Sequence, residues 1–129
     1  SEPFITRVEF VGGRFLYAVR VDTSQGFELC PADACRVDDA FCPTGDAAGA
    51  RFRVIERFRH PLVERYERLL RANDIHIAAI EFIVDQDGVA YTYDINTNTN
   101  YNSEAEAAAG QSGMGAVADY LGRELEAVV

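Results

Sequence analysis

Between Phe4 and Val11 apolar and polar residues alternate, and the run is rich in β-formers. Gly12-Gly13 follows, and Arg14 to Val21 alternates again. A period of two on either side of two glycines predicts a β-hairpin, because glycine supplies the positive φ angles a tight turn demands. From Asp22 to about Ala50 the pattern dissolves into Cys, Asp, Ala, Gly and Pro, which reads as a long loop. Arg51 to Arg59 is a short strand or a connecting segment. His60-Pro61 then opens a helix, with Pro61 suited to the first turn and Leu62, Val63, Tyr66, Leu69 and Leu70 at helical spacing. Asn73-Asp74 ends it. Ile75 to Val84 reads as a buried strand, Asp85-Gln86-Asp87-Gly88 as a turn, and Val89 to Ile95 as the antiparallel partner. After the polar run from Asn96 to Ser103, a last helix runs from about Gly113 to Ala127, with Ser112 as its N-cap and Met114, Val117, Leu121 and Leu125 facing inward.

The order hairpin, loop, helix, hairpin, helix predicts an α+β class, an antiparallel sheet with helices packed on one face, in a single domain over residues 1–129. A hydrophobic fraction of 48% is ordinary for a globular chain. No apolar stretch approaches the ~18 residues needed to span a bilayer, and nothing resembles a signal peptide. The formal charge of −9 argues against a nucleic-acid partner, which calls for a basic face. Cys30, Cys35 and Cys42 form an odd set with no secretory signal, pointing to reduced thiols and a cytoplasmic location. With His60 they make a zinc set on paper, but the spacing is not that of common zinc modules, and small buried thiols are the preferred reading. All twelve basic residues are arginine, so chemistry that needs a lysine must find it elsewhere.

The residues that carry chemistry lie in the second hairpin. Glu81 is an acid among apolar neighbours, and Asp94 and Asn96, two apart in a strand, share one face. With the turn at Gln86-Asp87, Glu81 comes close to Asp94 across the pair. Two carboxylates and an amide oxygen are hard ligands suited to Mg²⁺ or Mn²⁺, and buried like charges call for a cation. The plainer reading is that Glu81 is an edge residue or the partner of an arginine such as Arg20 or Arg7. Asp85-Gln86-Asp87-Gly88 lacks the later ligands of a calcium loop and is a turn.

Acid, strand, turn, strand, acid, any residue, Asn resembles the magnesium motif of the ATP-grasp superfamily. On that resemblance Glu81 falls on the first acid, Asp94 on the second and Asn96 on the asparagine. Arg7-Val8-Glu9-Phe10-Val11-Gly12-Gly13-Arg14-Phe15-Leu16-Tyr17-Ala18-Val19-Arg20 is similar to the opening hairpin of RimK-like α-L-glutamate ligases. There the arginine at the position of Arg20 lies near the transferred phosphate or the acyl phosphate, and that of Arg7 has a weaker claim on substrate or structure. The likeness covers roughly residues 4–21 and 61–126. It implies the C-terminal part of an ATP-grasp fold, trimmed from a longer chain that supplies the phosphate-binding lysines and the adenine-holding strand. It also implies ATP as co-substrate, Mg²⁺ or Mn²⁺ as cofactor, and small-molecule carboxylate and amine substrates such as amino acids. The fragment alone is expected to be inactive, and to self-associate through the apolar sheet face it leaves open.

Two departures matter. The family usually has Asp then Glu, whereas this chain has Glu81 then Asp94, which preserves the carboxylate count but exchanges their reach. The small residues and Pro-Gly that follow the asparagine in many relatives are replaced by Thr97-Asn98-Thr99-Asn100-Tyr101-Asn102. Those asparagines either orient a polar substrate or build turns through side-chain-to-backbone bonds. A small metal- or ligand-binding module without chemistry of its own, or a purely structural or oligomerisation domain, are the alternatives to the ligase.

Overall fold

The structure, a computed structural model, describes residues 3–24 and 51–129. Within these residues five strands build one antiparallel sheet: β1 (Phe4–Val11), β2 (Arg14–Asp22), β3 (Phe52–Val54), β4 (Ile77–Val84) and β5 (Ala90–Asn96), in the order β3-β2-β1-β4-β5. Among the described residues three helices accompany it: α1 (Pro61–Ala72), α2 (Ser103–Ala109) and α3 (Gly113–Ala127). The α+β class with an antiparallel sheet is as the pattern of the chain implies. Among the described residues, no helix is long and apolar enough to cross a membrane.

The first hairpin turns where expected, with Gly12 at φ +63° and Gly13 at φ +70°. α1 opens on His60, whose Nδ1 accepts the Leu62 N–H at 3.2 Å, with Pro61 in the first turn. It stops where the Asn73 side chain donates to the Leu69 carbonyl and Asp74 turns to φ +55°. Asp85 Oδ1 accepts from the N–H groups of both Asp87 and Val89 and so holds the β4–β5 turn. The Cys30, Cys35 and Cys42 of the zinc reading lie outside the described residues. His60 is engaged as the helix cap and is stacked against Phe58.

Strand alternation sends side chains to two faces, and each face has its own core. On one, Val8, Phe10, Ala18, Ala78, Ile80 and Phe82 are packed under Tyr66 and Leu70 of α1. Phe10 sits at the centre, edge-on to Phe15 at 6.4 Å and to Tyr66 at 6.2 Å. On the other face Ile5, Tyr17, Val19 and Val21 gather with Phe52, Val54 and Tyr101. α2 meets this second face at its β3 end.

Three expectations need correction. Leu69 of α1 is 40% exposed, whereas Tyr66 and Leu70 of that stripe are buried and Leu62 and Val63 pack partly buried against the same core. Met114, Leu121 and Leu125 do not face inward but stand 66%, 55% and 65% exposed, since α3 touches the sheet chiefly through Tyr120. And α2 is a helix that periodicity does not announce. Its side chains are largely alanine and glutamate, so it lacks a stripe of large apolar residues. Its ends are set locally: Asn102 accepts the Ala105 N–H at 2.8 Å and Gly110 ends it in the left-handed region.

Tyr120 docks α3 by stacking on His76 and bonding its Nδ1 at 2.8 Å, and its ring lies over Gly12. A Cβ at Gly12 would come within 3.0 Å of the Tyr120 ring at a φ of +63°. Gly12→Ala is therefore expected to lower stability by about 1–2 kcal/mol. Urea unfolding checks this. Loss of the α3 amide dispersion in NMR spectra would show the helix released as well.

Candidate functional site

Strand register assembles the site. Across the sheet one row reads Val19, Arg7, Glu81, Asp94, and the next on the same face reads Tyr17, Glu9, Ala79, Asn96. The two acids of the proposed motif are thus direct Cα partners, and Asn96 follows on their side. A β-bulge produces this: Glu81 pairs with Asp94 but Phe82 with Thr92, leaving Tyr93 as the extra residue. Without the bulge the tight register of the turn would set another residue opposite Glu81.

The bulge also turns Tyr93 toward the acid it flanks. The Tyr93 hydroxyl donates to Glu81 Oε2 at 2.8 Å, and burial together with Glu81 pushes that phenol up, which keeps it a donor. Arg7 approaches Glu81 from the other side, Nη1 to Oε1 at 3.9 Å, so the arginine partnership considered for Glu81 exists, with Arg7 rather than Arg20. Arg7 itself lies mainly on Glu9: Nε is 2.8 Å from Glu9 Oε1, although the N–H points off that oxygen. Thr99 closes the group, accepting from the Arg7 guanidinium and lying 3.0 Å from each Glu9 oxygen as donor. The loop after Asn96 is thereby tied to the first strand.

Arg20 is on the opposite face. It pairs with Thr6, one step off the Arg7 row, and its guanidinium lies 4.2 Å from the centre of the Phe4 ring. The cause is a second bulge: Phe10 pairs with Phe15 but Glu9 with Tyr17. A one-residue shift moves every later side chain to the other face, and without it Arg20 would share a face with Arg7. The structure therefore brings Glu81, Asp94, Asn96 and Arg7 together, and leaves Arg20 apart.

Chemically, the arrangement suits a hard divalent cation. Among the described residues no three His, Cys, Asp or Glu side chains converge on a metal position; the candidate donors on this face are two carboxylates and one amide oxygen. Mg²⁺ is commonly held by one or two carboxylates with phosphate oxygens completing its octahedron, and the set fits that habit. Asn96 Oδ1 also accepts the Asn98 N–H at 2.8 Å, which orients the amide and leaves it a second lone pair. Asn96 and Asn102 thus both make local turn and cap bonds.

Glu9, Thr99, Tyr93, Tyr101 and Glu106 were not singled out from sequence. Glu9 had a signal, an acid two residues from Arg7 in an otherwise apolar strand; the others depend on long-range contacts. Glu9 is 2% exposed, and burial pushes its carboxyl above the ordinary 4.5, opposed by Arg7 and Thr99. A raised carboxyl binds its proton more tightly when folded, so its contribution to stability is full below 4.5 and is lost as pH climbs through the raised value. Asp22 and Asp85, held down by backbone hydrogen bonds, act in the opposite sense and below 3.8. Urea midpoints measured against pH are expected to fall above the normal carboxylate range in the wild type. In Glu9→Gln that slope should vanish while the acid limb remains.

No known family model matches the sequence, and no curated protein matches it. Solved structures do. The ATP-grasp ligase PsnB complexed with minimal precursor aligns with a TM-score of 0.58 at 14% identity, over 88% of this chain and 33% of its own. PsnB with a phosphomimetic variant of minimal precursor, Mg and ADP aligns with a TM-score of 0.59 at 14% identity, over 91% and 32%. The Chryseobacterium gregarium RiPP-associated ATP-grasp ligase, in complex with ADP and a leader and core peptide, gives 0.55 at 18% identity, over 95% and 34%. At such identities the likeness is one of fold. The chain thus carries the fold of ATP-grasp ligases, and spans about a third of the length of the structures it matches.

Proposed function

We propose that these residues are the C-terminal, metal-holding part of an ATP-grasp carboxylate–amine ligase. The observation that carries the reading is the direct pairing of Glu81 with Asp94, with Asn96 next on the same face. Glu81, Asp94 and Asn96 would hold Mg²⁺, which supplies charge neutralisation on the phosphoryl oxygens of ATP. Arg7 and the Tyr93 hydroxyl orient the Glu81 carboxylate, and among the described residues Arg7 is the guanidinium that reaches the acid pair. Arg20, given the phosphate role by resemblance, stands on the other face, so the geometry favours Arg7 for that role.

In the implied reaction a substrate carboxylate oxygen attacks the γ-phosphorus of ATP, and the bond to the departing ADP breaks. The amine then attacks the acyl carbon, phosphate leaves, and the amine proton passes to solvent or phosphate. No protein nucleophile is needed. The leader and core peptide held by the Chryseobacterium gregarium ligase favour a second reading of the substrates, with the acid or the amine carried on a peptide rather than on a free metabolite.

The test is ADP release by the intact enzyme with Mg²⁺, across amino acids, dicarboxylates and acidic or lysine-bearing peptides. Release that requires one acid–amine pair supports the ligase. No release with any pair, despite tight Mg²⁺ binding, would make the chain a metal-binding module instead.

A further inference from the structure

Beside the acid pair, and sharing Arg7 with it, lies a cavity of about 200 Å³ between the second sheet face and α2. Two carboxylates line it, Glu9 at 2% and Glu106 at 8% exposure. Glu106 Oε1 accepts from the Tyr17 hydroxyl and from the Gly113 N–H, and Glu106 in turn pushes the Glu9 carboxyl further up. Among the described residues Arg7 is the cation in the wall, and it is already divided between Glu9 and Glu81. The Tyr101 hydroxyl is fully buried and makes no hydrogen bond among the described residues. Its ring is fixed by contact with Gly113, where an added Cβ would fall 2.3 Å from Tyr101 Cδ1. Burial raises the Tyr101 phenol, and Glu9 and Glu106, which line the same cavity, raise it further.

We propose that this cavity is a subsite for a primary alkylammonium group of the co-substrate. An ammonium has three donors and no acceptor, and the wall offers Glu9, Glu106 and the unpartnered Tyr101 oxygen as acceptors. Val19, Phe52 and Val54 line the same cavity and give an alkyl stem an apolar wall. The volume equals roughly six or seven water molecules, enough for a chain of about four carbons with its head group. An excess of buried negative charge favours a cation over a neutral occupant of the same shape. Calling the occupant a co-substrate rests on the ligase reading above; the charge preference of the cavity does not.

The probe is n-butylammonium, titrated into the ¹⁵N-labelled 129-residue protein with the Gly113 amide as reporter and 1-butanol as the neutral isostere. The expected result is a saturable shift with n-butylammonium and none with 1-butanol. Glu106→Gln, which keeps an acceptor for Tyr17 and Gly113, should weaken binding about tenfold or more. Tyr101→Phe, which removes no hydrogen bond among the described residues, should weaken it a few-fold. Asp94→Asn should leave ammonium binding intact while abolishing Mn²⁺ binding, so failure of the subsite and failure of the metal site are told apart. No saturable shift, an equal response to 1-butanol, or full binding in both Glu106→Gln and Tyr101→Phe would overturn the proposal.

Discussion

Asp94→Ala in the intact ligase is expected to lower Mg²⁺-dependent ADP release by about 100-fold or more, the scale of losing a group that holds charge-stabilising machinery in place. Asp94 is well chosen for this because it is exposed on an edge strand. Exposed substitutions away from buried networks shift stability by only about 0.5 kcal/mol, so the unfolding midpoint should hardly move. Glu81→Ala is a less clean probe. It would also take a carboxylate from beside Arg7 and remove the oxygen to which the Tyr93 hydroxyl donates. ADP release and Mn²⁺ affinity measured together on Asp94→Ala separate the cases. Loss of both with an unchanged midpoint supports a metal ligand, whereas unchanged release would remove Asp94 from the site.

Phe10→Ala should be the most damaging core change, by about 3–5 kcal/mol. Phe10 is wholly buried in the central strand, wedged between Phe15 and Tyr66, and its ring joins the sheet to α1. Domains of this size hold only about 5–15 kcal/mol in all, so a large share of the variant should be unfolded at low urea. Urea titration by circular dichroism measures it. A change below about 1 kcal/mol would mean that the cavity collapses at little penalty, and that the aromatic cluster is not what fastens α1.

Much of the scaffold was legible because it is written in local chemistry. Gly12-Gly13, the His60-Pro61 start of α1, the Asp85 turn and the Ser112 cap each act within a few residues, so the chain displays them directly. α2 was written in the same way, through Asn102 and Gly110, but its alanines gave no apolar stripe to read. The pairing of Glu81 with Asp94 was half legible. Alternation put Asp94 and Asn96 on one face, and only the bulge at Tyr93 set Asp94 opposite Glu81.

By itself, then, the sequence determined the turns, the strand and helix periods, and that Asp94 and Asn96 share a strand face, since each depends on φ/ψ preference or on side-chain spacing along one segment. Only the tertiary structure decided which cation meets those acids. β1 lies beside β4, which sets Arg7 at Glu81, and a one-residue bulge sends Arg20 to the far side. It also decided that Thr99 closes on Arg7 and Glu9, that Tyr101 and Glu106 wall a cavity, and that Met114, Leu121 and Leu125 stay in solvent. The physical reason is common to all of these. Partners some 70 to 100 residues apart are chosen by strand pairing and packing, and a single extra residue in a strand reverses the face of everything beyond it.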